Sequence, residues 1–200
     1  MSREKRIWYP GASYHVMSRG IRRSAICKDQ FDYEQFCMIL KCTMEKVPFK
    51  LHSFCMMTNH LHMQITTMTT EIGIIMNRLL SSYAKNFNYR YGYTGHVFES
   101  RYTSCLIEDP IYFLEVSRYI HLNPVRAGMV RGLLDYPYSS YEDYVLQKPN
   151  PLLEKERILG YFSKNPEEQY RMFVEGALSH AEQEMLIQKD IGEDENWLPW

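Results

Sequence analysis

The sequence predicts an α+β fold: a ferredoxin-like β-α-β-β-α-β antiparallel sheet with its helices on one face, followed by a further helix carrying tyrosines and a helical C-terminal tail. Three observations carry the prediction. Two amphipathic stretches, about 29–47 and 70–91, separate stretches rich in strand formers. The middle two strands are joined by a tight Thr58-Asn59 turn, which makes them a hairpin. Residues 60–65 alternate, with His60, His62 and Gln64 on one side and Leu61, Met63 and Ile65 on the other. The apolar side has to meet the helices, so His60 and His62 are expected on the free face of the sheet.

The first strand is expected at Ser13–Ser18, entered through Pro10-Gly11 and left through Gly20, with the basic run Arg19, Arg22, Arg23 behind it. Asp29 then caps a helix in which Tyr33, Phe36, Cys37, Leu40 and Met44 form one stripe. Pro48 bars its continuation, and strands follow at 50–57 and 60–67. A second helix runs from about Thr70 to Tyr91, with Ile72, Ile75, Met76, Leu79, Tyr83 and Phe87 on its buried stripe and Gly92 at its end. Residues 92–98 read as a loop and 101–107 as the fourth strand.

Asp109-Pro110 starts the next helix, a capping residue followed by proline at the first helical position. It is expected to reach about Leu122. Pro124 biases Asn123 away from helical backbone, although Tyr119 and Asn123 share a face if the helix extends that far. Beyond Lys148, Pro149 and Pro151 mark a linker, which divides a main domain, 1–147, from an acidic helical appendage, 148–200. The appendage shows helical patterns at about 152–162 and 166–188, the second with a stripe of Tyr170, Phe173, Val174 and Ala177. Two roles fit it, a structural appendage or an acidic lid over a basic face. Residues 190–200 are expected to fray, and Trp197 and Trp200 have no evident role.

Charge separates the same two parts. Residues 1–147 carry 17 Lys and Arg against 13 Asp and Glu, whereas 148–200 carry 6 against 11. The basic part also holds 14 of the 16 tyrosines, an interleaving of cations and aromatic faces suited to single-stranded nucleic acid as well as to core packing. No apolar run has the length of a membrane span, and Met1–Arg6 leads into no signal-type apolar core, so a cytoplasmic protein is expected. Five cysteines without Cys-x-x-Cys spacing read as reduced thiols.

His60 and His62 are a strand step apart and can share a metal ion, but His-x-His is by itself a weak signal that two hydrogen-bonded strand histidines would equally explain. His15, His52 and His96 carry no comparable pattern. The later segments change the weight of the pair. Asn59-His60-Leu61-His62, Gly95-His96-Val97-Phe98-Glu99-Ser100-Arg101-Tyr102, Arg118-Tyr119-Ile120-His121-Leu122-Asn123-Pro124-Val125-Arg126-Ala127-Gly128 and Tyr136-Pro137-Tyr138-Ser139-Ser140-Tyr141 follow one another in that order. In this the chain, over about 7–145, resembles the single-tyrosine HUH transposases, IS200-like enzymes, and most closely their REP-associated tyrosine transposase branch.

The resemblance implies a metal-dependent enzyme that cleaves and rejoins single-stranded DNA next to hairpins through a 5′-phosphotyrosine. It implies Tyr119 as the nucleophile, with Tyr112, seven residues earlier, as the rival. It implies His60, His62 and Asn123 as ligands of Mg²⁺ or Mn²⁺, a choice resting on the family, because imidazoles alone suit zinc better. Arg19, Arg22, Arg23, Arg101, Arg118, His121 and Arg126 are the expected DNA contacts. Both monomers and homodimers fit the resemblance. Two other classes stay open, a non-cutting DNA- or RNA-binding module and a metal phosphoesterase that uses water; a covalent adduct on Tyr119 would separate them from the transposase.

Overall fold

The computed structural model describes residues 7–178. Strands β1 (Ser13–Arg19), β2 (Phe49–Met56), β3 (His60–Thr67) and β4 (Thr103–Ile107) form one antiparallel sheet in the order β2-β3-β1-β4. Helices α1 (Gln30–Lys46) and α2 (Ile72–Tyr91) complete the β-α-β-β-α-β order. Asp29 caps α1 by accepting from the backbone N–H of Asp32 at 3.0 Å, and Gly92, at φ 63°, closes α2. Phe36 and Leu40 of α1 and Ile75, Met76, Leu79 and Tyr83 of α2 bury themselves against Tyr14, Val16, Leu61, Met63 and Ile65 of the sheet. The expected alternation of β3 therefore holds, with its apolar side toward the two helices.

The opposite face is covered as well, which corrects the expectation that it would be free. Helix α3 (Pro110–Arg126) lies across it, and Phe113, Val116, Ile120 and Leu122 build a second core with Cys55, Met57 and Ile107. Three short helices complete that layer: α4 (Tyr141–Val145), α5 (Glu156–Leu159) and α6 (Pro166–Glu175). The polar residues of this face find partners in the covering layer and in one another. Gln64 Nε2 donates to the carbonyl of Phe113 at 2.7 Å while its Oε1 accepts from Ser53 at 3.0 Å. Alternation showed which side of β3 is polar, but a polar side can be buried wherever each group finds a partner.

Helix α3 also runs four residues past its expected end, with Pro124 inside it. Pro124 lacks the N–H that would have bonded the carbonyl of Ile120. The Asn123 side chain turns back along the helix instead, its Nδ2 2.8 Å from the Tyr119 carbonyl and 3.5 Å from that of Ile120. The proline sits in the last turn, where a lost bond is cheapest.

Residues 148–178 pack onto α3 and the β2 edge. The Glu154 N–H donates to Leu51 at 2.8 Å, and Arg157 stacks over Phe113, its Cζ 3.7 Å from the ring centroid, while reaching Ser13 Oγ at 3.0 Å. A bulge in β2 between Leu51 and Ser53 makes this possible by turning His52 toward Thr66 and Glu154. The second tail helix ends at Glu175; the remainder of its expected length beyond 178, with Trp197 and Trp200, lies outside the described residues. No helix among the described residues is long and apolar enough to cross a membrane.

Candidate active site

The site lies where the β3 end of the sheet meets the C-terminal half of α3. His60 and His62 share one side of β3, their ring centroids 4.9 Å apart and nearly perpendicular. Tyr119 comes down on them from α3, its ring edge-on to His62 at 5.6 Å and to His15 at 5.5 Å. Gly20 shapes the adjoining turn: a Cβ there would come 2.1 Å from the carbonyl oxygen of Ser24, so only glycine fits. From that turn the Gly20 N–H bonds Asn59 O at 2.8 Å and the Ile21 N–H bonds Val97 O at 2.9 Å, which ties the end of β1 to the 58–59 turn and to the 97–99 loop.

Each site histidine is held through Nδ1. His60 Nδ1 lies 2.6 Å from Asn59 Oδ1, and His62 Nδ1 lies 3.0 Å from His15 Nε2. Asn59 Oδ1 can only accept, so His60 carries its proton on Nδ1 and its lone pair on Nε2. His62 and His15 are buried, and burial, reinforced for His62 by His15, His60 and Arg19, holds His62 well below the ordinary imidazole pKa and His15 down to about 4. Both are neutral at neutral pH, the form in which imidazole binds metal. Burial raises the Tyr119 phenol, and Arg126 and Arg19 act against that rise. Arg126 Cζ stands 5.9 Å from the Tyr119 ring centroid. These two cations favour the phenolate form.

Of the other expected site residues, Asn123 is half-buried one turn beyond Tyr119, with its amide nitrogen committed to the helix, so Oδ1 is the atom available as a ligand. Arg19 faces His60 across the β1–β3 register. Arg22 and Arg23 are exposed in a 3-10 turn, both with positive φ, and Arg101 is exposed just before β4. Arg118 belongs elsewhere: it pairs with Glu115 and stacks on Phe173 at 4.5 Å, against the tail. His121 is corrected outright as a DNA contact. It is 1% exposed, with Nε2 2.8 Å from Ser140 Oγ and Nδ1 2.7 Å from the Tyr170 hydroxyl, because two residues past Tyr119 a helix presents its opposite side. Tyr112 is held by Cys105 Sγ at 3.8 Å, its phenol pushed up to about 12 mainly by burial.

His15 was missed from the sequence. Its alternation with Met17 and Arg19 put it on the polar side of β1, but only the pairing of His15 with Gln64 brings it beside His62.

Residues 9–123, from before β1 to Asn123, match the IS200-like transposase family. The chain belongs to that family. IS200-like transposases cleave and transfer DNA strands. The chain is 29% identical over 123 residues to a candidate REP-associated tyrosine transposase of Haemophilus influenzae, covering 55% of this chain and 69% of that one. It is also similar to the solved structure of a REP-associated tyrosine transposase bound to a REP hairpin, at a TM-score of 0.63 and 19% identity, over 79% of this chain and 93% of that one. This transposase thus has the REP-associated enzyme's fold.

Proposed function

We propose that this transposase cuts and rejoins single-stranded DNA beside a hairpin, in the cytoplasm, with Tyr119 as nucleophile and a divalent ion held by His60, His62 and Asn123. The observation that carries the reading is the packing of the Tyr119 ring against His62 and His15 within one chain. In this reading one chain supplies both the tyrosine and the histidine pair, a site assembled in cis. The donor set fits a divalent cation: Nε2 of His60, Nε2 of His62 and Oδ1 of Asn123 are a mixed nitrogen and oxygen set, with Nδ1 of His60 oriented by Asn59. These residues would hold Mg²⁺ or Mn²⁺, which when bound would polarise the scissile phosphate.

The protein's own groups do the rest. Arg126 and Arg19 favour deprotonation of the Tyr119 phenol. Helix α3, packed on the sheet through Phe113, Val116 and Ile120, holds the Tyr119 ring beside His62. That oxygen bonds to phosphorus as the bond to the 3′ oxygen breaks. The phenolic proton leaves to solvent and the departing 3′ oxygen takes one up. The downstream fragment is then held as a 5′-phosphotyrosine, and a 3′-OH attacking the same phosphorus reverses the step. One phosphodiester replaces another, so no energy source is needed.

The test is incubation of a hairpin-flanked single strand with Mg²⁺ or Mn²⁺, followed by denaturing electrophoresis. A covalent protein–DNA band that the fully paired duplex does not give is the expected result. Two free DNA ends without a band would establish water as the nucleophile, and binding without cleavage would establish a binding module.

A further inference from the structure

We infer that His15 is a positioning residue: its Nε2 accepts a hydrogen bond from Nδ1 of His62, fixing His62 in the tautomer whose Nε2 carries the lone pair. The inference rests on the function proposed above, because a cation on His62 needs its Nε2 open.

The contact has the geometry of a directed bond. His15 lies opposite Gln64 in the β1–β3 register, so His62 is its diagonal neighbour on the same face, within reach of long and aromatic side chains. The nitrogens are 3.0 Å apart while the centroids are 5.2 Å apart, with 25° between the ring planes. Two ring radii and the nitrogen separation together account for that centroid distance. The rings therefore meet edge to edge and nearly coplanar, so the shared proton lies along a lone pair and not over a ring face.

Two nitrogens at this distance hold one proton between them. If it belonged to His15, Nε2 of His62 would be protonated and closed to a cation. If it belongs to His62, Nε2 is open. The neighbouring histidine shows which arrangement the site is built around. His60 Nδ1 faces Asn59 Oδ1 at 2.6 Å, an atom that only accepts, so His60 is already in the Nδ1–H tautomer. With His15 as acceptor the two histidines become equivalent, each steered through Nδ1. The nitrogen that carries the proton is set by the hydrogen bond the other makes. His15 is 3% exposed and carried by a central strand, which makes it a rigid acceptor.

The experiment reads the tautomer directly. Metal-free protein labelled with ¹⁵N-histidine is examined by long-range ¹H–¹⁵N correlation, and the His62 signals are identified by their loss in His62→Gln. Wild-type His62 should show a pyrrole-like Nδ1 and a pyridine-like Nε2. His15→Phe keeps a ring but has no acceptor, so the His62 proton should move toward Nε2 and Mn²⁺ affinity, measured by electron paramagnetic resonance, should fall about 10–100-fold. His15→Gln restores an accepting oxygen and should recover both. A pyrrole-like Nε2 in wild-type His62 overturns the inference, as does a folded His15→Phe with unchanged tautomer and Mn²⁺ affinity. Should His15→Phe fail to fold, the wild-type tautomer and His15→Gln decide. Wild-type protein with the expected tautomer that binds no Mn²⁺ overturns the metal reading and leaves the His15 assignment standing.

Discussion

The Tyr170 hydroxyl lies 2.7 Å from Nδ1 of His121, joining the tail to the side of α3 opposite Tyr119. The bond belongs to a buried network. The Phe54 N–H donates to Ser140 Oγ at 2.9 Å, Ser140 lies 2.8 Å from His121 Nε2, Tyr170 donates to Ser117 at 3.1 Å, and Ser117 donates to the Leu114 carbonyl at 2.7 Å. Strand β2, the start of α4, α3 and α6 are thus linked through one buried imidazole. Tyr170→Phe leaves His121 Nδ1 without its hydrogen-bond partner in an apolar setting and should cost about 1–3 kcal/mol of stability. Urea unfolding of the two proteins measures it, and a difference near zero would show that the network holds nothing.

The same imidazole makes stability depend on pH. Burial lowers His121 from 6.5 to about 3, so between those values the unfolded chain binds a proton that the folded one refuses. Its contribution is complete above pH 6.5 and is lost as pH falls toward 3. Comparison with His121→Gln isolates it. Across that window the stability gap between the two should narrow by about 1.4 kcal/mol per pH unit on acidification, and a gap independent of pH would contradict a neutral buried His121.

Arg22 has φ 51° and ψ 33°, a left-handed backbone that glycine adopts without strain. An exposed arginine kept there points to work done by its charge. Arg22→Gly should leave the fold at least as stable, by up to about 1 kcal/mol. Its affinity for single-stranded DNA should fall, with the salt slope reduced by about 0.7. Unchanged affinity in fluorescence anisotropy at several salt concentrations would remove Arg22 from the DNA path.

How far the sequence carries depends on whether the pattern is local. The order of elements along the chain follows from local patterns, the α1 and α2 stripes and the polar side of β3 are repeats within single elements, and the structure keeps them. His15 beside His62 depends on pairing between strands 47 residues apart, and Tyr170 beside His121 on a contact across 49. Neither leaves a periodic trace. The Pro124 exception was hidden for a different reason: the rule that proline ends a helix is sound, and it is overridden here by Asn123 turning its side chain onto the carbonyls behind it. His121 lies next to Tyr119 in sequence but not in space, because a helix turns residues two apart to opposite sides.

His60→Ala and His62→Ala should each lower cleavage by at least about 10²-fold, the scale of losing one electrostatic contact to a transition state. Single-strand affinity should change little, because the exposed cations Arg22, Arg23 and Arg101 are untouched. His60 is the cleaner test, being half-buried where His62 is 1% exposed. Affinity falling in parallel with cleavage would mean that the pair serves binding and not chemistry.

The last prediction decides between two tyrosines on one helix. Tyr112 and Tyr119 are seven residues apart, about 10.5 Å along the axis, so a single phosphate cannot serve both. Tyr119 packs against His15 and His62 and has Arg126 and Arg19 to favour its phenolate. Tyr112 touches Cys105, and its phenol is raised to about 12 with no cation among the causes. Tyr119→Phe should therefore form neither adduct nor nick, while Tyr112→Phe should form both. Label position adds a second constraint. Attack that releases a 3′-OH leaves the downstream fragment on the protein, so a 3′ label should migrate with it under denaturing conditions and a 5′ label should run free. Migration of the 5′ label would reverse the polarity of the cut, and adduct formation by Tyr119→Phe would move the nucleophile off Tyr119.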